Sequence, residues 1–221
     1  MIVFASAGLL LTLSSQSDMP IGSAAPHSVP PDIATACAGD NPYLVTACHR
    51  PRTAGAQFER EPAVIAFNDT PGDRPHYLLA TQGQVGAVYG LAHNWREPAV
   101  YAAAFHRRQT AFGTGGPGAI YRIDLSTGAV SLWVTVPDAG PDRHDRRVSG
   151  SDPGGMKWVG KTSLGDLDVS ADGQELFVLN LNNRRIYRYA VATGVALGDF
   201  ANGAAGETWS VDAYPFGIHS S

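Results

Sequence analysis

Hydrophobic and polar residues alternate most regularly in the segment "LGDLDVSADGQELFVLNLNNRRIYRYAVATGVALGDF", residues 164–200. Leu167 and Val169 interleave with Asp166, Asp168 and Ser170, and alternate residues of a strand share one face. The pattern predicts strands at 164–170, 175–181 and 185–191 and a weaker one at 195–200, with turns at Ala171-Asp172-Gly173, Asn182-Asn183 and Ala192-Thr193-Gly194. Aromatic and β-branched enrichment between Gly, Asn and Asp turns supports strands over helices.

The same order occurs upstream. "IYRIDLSTG" (120–128) and "IYRYAVATG" (186–194) share five of nine positions. Walking back, "VYAAAFHRR" (100–108) aligns with "LFVLNLNNR" (176–184), and "GLAHNWREP" (90–98) with "DLDVSADGQ" (166–174). The first unit holds ten extra residues, 109–118, between its second and third strands. A third copy starts at "YPFGIHSS", where Gly217 and His219 match Gly90 and His93 in phase, and residues 61–80 read as strands of a preceding unit. Four-stranded antiparallel units repeated along a chain are the blades of a β-propeller. The expected fold is therefore all-β and propeller-like, with about three visible blades and an incomplete ring. Residues 61–221 form the partial propeller and 26–60 an extended N-terminal segment.

Composition changes this picture at the edges. A net charge of −4 and a pI of 5.9 leave no basic footprint, so nucleic acid is not an expected partner. Fourteen Arg against two Lys suggests a high-GC bacterial genome. The apolar run of residues 2–13, "IVFASAGLLLTL", followed by Ser23-Ala24-Ala25, reads as a signal peptide over residues 1–25. The alternative is a buried first strand or helix. The run is too short to span a bilayer, so export to the medium or the cell surface is expected, without a transmembrane span. In an exported chain, Cys37 and Cys48 are candidate disulfide partners; two free thiols are the alternative.

The motif series "VGAVYGLAHN…VYAAAFHRR…GPGAIYRIDLSTG…VGKTSLGDLDVSADGQELFVLNLNNRRIY" resembles the propeller-like N-terminal region of large bacterial surface-anchored proteins that carry serine–aspartate-repeat-type B domains. That resemblance covers roughly residues 30–221. It implies export, a surface location and a propeller, and brings no catalytic residues with it.

Two places carry candidate chemistry. Asp166 and Asp168 share a strand face with Ser170, and His93 and His219 fall on equivalent strands of other units. Carboxylates and imidazoles converging on a polar channel could hold Ca²⁺ or a transition metal. The competing structural reading has the short acids bonding backbone amides of a turn. The second place is the link 137–160, which has no strand periodicity. Long links in compact domains tend to be functional or mobile. Its Arg143, His144, Arg146 and Arg147, with Trp158 beyond, suggest a site for a sugar, carboxylate or phosphate; a solvated excursion is the alternative. "GTGGPG" (113–118) precedes a strand rather than a helix, which removes a dinucleotide site. No G-x-S-x-G nucleophile elbow is present. The sequence thus points to a non-enzymatic surface module that binds an extracellular ligand or protein, or further blades of a longer chain. A Ca²⁺-dependent, gluconolactonase-like hydrolase is the alternative.

Overall fold

Strand β5 (Ala99–Ala104, AVYAAA) is buried along its whole length, because both of its faces are covered. Val100, Ala102 and Ala104 face one hydrophobic cluster, whereas Ala99, Tyr101 and Ala103 face another. Such two-sided burial explains why this segment is continuously apolar, where a strand with one wet face would alternate. Each large side chain buried in this way contributes about 1.5–3 kcal/mol relative to leaving it in water.

We describe the chain from a computed structural model that covers residues 33, 42–49, 56–68, 76–145, 152–204, 206–211 and 213–220. Three antiparallel sheets follow one another. The first contains β1 (Tyr43–Ala47), β2 (Pro62–Asn68) and β3 (Tyr77–Thr81) in that order. The second runs β4 (Val88–Asn94), β5, β6 (Ala119–Asp124), β7 (Val130–Thr135). The third runs β8 (Leu164–Val169), β9 (Glu175–Asn180), β10 (Arg185–Ala190), β11 (Ala196–Ala201). Among the described residues, three α-helices of a turn or so, α1 (Ala56–Arg60), α2 (Gln82–Val85) and α3 (Pro153–Met156), sit in the connections, and a 3-10 turn spans Thr208–Val211. None of the described helices is long and apolar enough to cross a membrane.

The all-β, propeller-like, incomplete arrangement expected from the repeat is what the chain adopts. The β4–β5–β6 and β8–β9–β10 strands fall on the aligned segments, and the backbone repeats with them. Phe105 N–H donates to Ala87 O at 2.9 Å, and its counterpart Leu181 N–H donates to Ser163 O at 3.0 Å. Strand β1 lies in the segment expected to be only extended. It pairs with β2 along its whole length, and its half-buried Tyr43, Val45 and Ala47 alternate with exposed Leu44 and Thr46. Five residues of alternation are too few to stand out without the partner strand.

The first strands of the sheets lie side by side, β1 against β4 and β4 against β8. The backbones approach so closely that a Cβ at Gly90 would sit 2.6 Å from Gly165 O. Only glycine fits there. At the far end, Asn94 Nδ2 donates to Gly173 O at 3.2 Å and the Trp95 indole N–H to Ala171 O at 3.1 Å, tying the β4–β5 turn to the β8–β9 turn. The C-terminal strip around 216–220 continues the series by lying along β8, whose Asp166 N–H donates to Phe216 O at 3.2 Å. Phe216 packs edge-on against Tyr89 and Phe105, with ring centroids 4.9 and 5.6 Å away.

Candidate functional site

The link between the second and third sheets is held down at both ends. Near its start, Pro137 O and Asp138 O accept from the side-chain amides of Asn180 and Asn182, each at 2.9 Å. Ala139 O accepts from Ser163 N–H at 2.7 Å and from Thr162 Oγ1 at 3.1 Å. Near its end, Asp152 precedes α3 in the left-handed region, at φ 40°, a conformation that the short Asp side chain tolerates.

Asp152 is 3% exposed and organises its surroundings. Its carboxylate accepts from the backbone N–H groups of Asp145 at 2.7 Å, Gly155 at 3.0 Å and Gln109 at 3.0 Å. Burial works to raise its pKa, but these N–H donors and the nearby His144 outweigh it, so the carboxyl lies below its ordinary range. A Cβ at Gly155 would come 2.3 Å from Asp152 Oδ2, which reserves that position for glycine.

Beside this carboxylate two imidazoles meet at a tilt of 39°. His106 follows β5, is fully buried, and lies with its ring centroid 4.4 Å from that of His144. Phe112 flanks both rings, at 5.7 and 5.5 Å. His106 receives its position from its own N–H, which donates to Ser163 Oγ at 2.6 Å, and from its Nε2, 3.1 Å from Gly155 O. Nε2 facing a carbonyl must carry the proton, and Nδ1 is then left buried without a hydrogen-bond partner. Burial, followed by the neighbouring His144, holds this imidazole below its ordinary pKa, against smaller opposing effects of Gly155 O, Asp142 and Asp152. His144 Nε2 lies 2.7 Å from Arg107 O and 4.0 Å from Asp152 Oδ2, while its Nδ1 meets Asp142 Oδ1 at 2.5 Å. Among the described residues, His106, Asp142 and His144 form the group of three potential metal ligands, with one ligand atom of each within 4.8 Å of the others.

Outside this cluster, Arg143 is exposed and its guanidinium lies over the half-buried Trp158 ring, 4.4 Å from the centroid. Arg146 and Arg147 fall outside the described residues, as do residues 1–25 and Cys37. Cys48 follows β1, half-buried, with its N–H donating to Ala63 O at 2.7 Å.

The other candidate group is divided. Asp168 Oδ2 accepts from Ser220 N–H at 2.8 Å and Ser220 Oγ at 3.1 Å, and meets His219 Nδ1 at 3.1 Å. Asp166 Oδ2 accepts from Ile218 N–H at 3.4 Å, and Asp166 Oδ1 from Leu167 N–H at 3.0 Å. Both acids thus serve amides of the C-terminal strip and of their own strand. The turn itself is bonded by Asp172, whose Oδ1 accepts from Gln174 N–H at 3.0 Å. His93 looks the other way, with Leu91, into a cleft of about 260 Å³ lined also by Tyr43 and Val45 of the first sheet.

Sequence reasoning singled out His144 and missed His106. One signal was present: His106 occupies the repeat position where the second unit has Asn182, three residues before the ten-residue expansion begins.

No family model matches the chain. It is similar to colossins of Dictyostelium discoideum. Colossin-D is 25% identical over 169 residues, which span 69% of this chain and 18% of that protein. Colossin-C is 26% identical over 227 residues, spanning 91% and 22%. Colossin-A is 35% identical over 78 residues, or 34% and 1%. The chain thus spans about a fifth of the length of the first two. These relatives correct the resemblance drawn from the motif series. They are eukaryotic proteins, and neither membership of the bacterial surface-anchored family nor a bacterial origin is supported. Among solved structures, the chain is similar to an auxiliary nutrient binding protein from Bacteroides thetaiotaomicron at a TM-score of 0.39 and 12% identity, over 68% of this chain and 27% of that one. A likeness that low carries neither fold nor ligand across.

Proposed function

We propose that this chain is a non-enzymatic, propeller-like binding module of a secreted or cell-surface protein, and that it contacts an anionic saccharide at the rim between its second and third sheets. The observation that carries this reading is the exposed Arg143 guanidinium 4.4 Å over the Trp158 ring. The pair offers a charged group for carboxylate or phosphate and an aromatic edge for a sugar. Support comes from beneath, where Asp152 ties residues 109, 145 and 155 together and so limits the freedom of the segment that presents Arg143. A platform ordered before binding loses less conformational entropy on capture. The apolar run 2–13 supports export, and the greater length of the relatives supports a module working within a longer chain.

The test is a fluorescence and calorimetric titration with carboxylated, phosphorylated and neutral oligosaccharides, on the wild type and on Arg143→Ala and Trp158→Ala. The expected result is binding of an anionic class that weakens at least tenfold in each variant. Equal binding by the variants, or preference for the neutral sugars, overturns the reading. Secretion is tested separately by following the tagged full chain into the medium.

A further inference from the structure

We propose that His106, His144 and Asp142 form a binding site for a divalent transition-metal ion of the zinc class. One potential ligand atom from each lies within 4.8 Å of the others. The independent observation is the fully buried His106, whose Nδ1 meets no hydrogen-bond partner. A buried, unpaired ring nitrogen is costly unless something else uses its lone pair.

The hydrogen bonds around the rings already have the form that metal-binding histidines need. Each ring points its Nε2 at a backbone carbonyl, His106 at Gly155 O (3.1 Å) and His144 at Arg107 O (2.7 Å). Those carbonyls hold the proton on Nε2 and present Nδ1 as the ligand, which is how outer hydrogen bonds orient a ligating imidazole. His144 Nδ1 already meets the Asp142 carboxylate, with Oδ1 2.5 Å away.

The donor set selects the ion. Two imidazole nitrogens and one carboxylate oxygen suit Zn²⁺ and its neighbours, and Ca²⁺ and Mg²⁺ favour all-oxygen sets. Bonds of about 2.0–2.2 Å put tetrahedral ligand atoms roughly 3.4 Å apart, so the wider separations must close and the 2.5 Å contact of His144 Nδ1 with Asp142 Oδ1 must open. Asp142 is exposed and lies on the link, outside the strands. Three protein ligands leave a fourth tetrahedral position for water or a ligand group.

The experiment titrates the full chain with Co²⁺ and Zn²⁺, following visible absorption, heat and melting temperature. We expect one ion per chain, Zn²⁺ displacing Co²⁺, and no displacement by a hundredfold excess of Ca²⁺. Asp142→Asn, a change at an exposed position, is expected to lower affinity at least tenfold, and His106→Phe to abolish this site. His219→Ala is expected to bind as the wild type does. The proposal is overturned if no stoichiometric ion binds, if Asp142→Asn binds like the wild type, or if Co²⁺ shows thiolate charge-transfer absorption that places it on the cysteines. Asp142→Asn keeps the test decisive if His106→Phe does not fold.

Discussion

The second and third sheets carry the same hairpin at the same place and finish it differently. In the third sheet the chain leaves β9 and enters β10 through a tight turn, closed by Asn180, whose Oδ1 accepts from the N–H groups of Asn182 at 3.0 Å and Asn183 at 3.4 Å. In the second sheet the equivalent exit, after β5, opens into residues 109–118 and places His106 where the third has Asn182. In the third sheet Asn180 closes the turn locally, while the Asn180 and Asn182 amides reach out to Pro137 O and Asp138 O. The expanded hairpin takes its partners from a distant carboxylate, Asp152, and from the link that carries His144. An insertion at a turn thus replaces a connection closed by its own Asn180 with a cluster of interdependent groups, without disturbing the strands on either side.

That contrast can be broken from either side. The largest effect is expected from Asp152→Ala, which leaves three backbone donors of the expanded hairpin and its link without their acceptor, at about 3 kcal/mol or more. A lower denaturant midpoint at unchanged m-value checks it. A loss below that of Asn180→Ala would show that the expanded hairpin does not depend on the carboxylate. Asn180→Ala, at a fully buried side chain that also donates to Pro137 O, is expected to cost about 2 kcal/mol. Asn182→Ala, on the exposed face of the tight turn with one bond to Asp138 O, should cost about 0.5–1 kcal/mol in the same assay. Equal losses at 180 and 182 would mean that the tight turn is not centred on Asn180.

The smallest effect lies along β8. Burial acts to raise the pKa of Asp168, but the Ser220 and Val169 N–H groups, the Ser220 hydroxyl and His219 together lower it. A carboxyl whose folded pKa is depressed contributes stability that is present above its unfolded value, about 3.9, and is lost as the pH falls through the folded value. Asp166 is shifted the opposite way, first by burial and then by Asp168, against the Ile218 and Leu167 amides. Asp166 should therefore protonate first on acidification, and the Ser220 amide should hold its hydrogen-bonded NMR shift until the pH is below about 4. Release of Ser220 together with Asp166 protonation would show that the two acids act as one unit.

The repeat was legible because its signals are local: Thr-Gly and Asp-Gly turns, and alternation long enough to fix strand faces, as in 175–191. Strand β1 was not, since its five residues acquire meaning only through pairing with β2. The facing of Asp166 and Asp168 followed from period two, but their partners did not, because Ile218 and Ser220 lie some fifty residues on. The His106–His144 contact was hidden for the same reason. It joins a strand end to a link 38 residues later, through carbonyls of Gly155 and Arg107 that no side-chain pattern announces. Arg143 and Trp158 were read as neighbours across one link, and there the sequence distance was short enough for composition to suggest the pairing.

Close contact of the first strands at Gly90 has one more consequence. Sheets packed face to face in chain order behave as a linear array of coupled units, each with its own folding free energy and a coupling to the next. The middle sheet, gripped on both flanks by separate clusters, should be the last to exchange its amide hydrogens. β11, exposed at every residue, should be among the first. An alanine at position 90 would weaken the coupling and leave the units themselves intact, so that one cooperative melt separates into two.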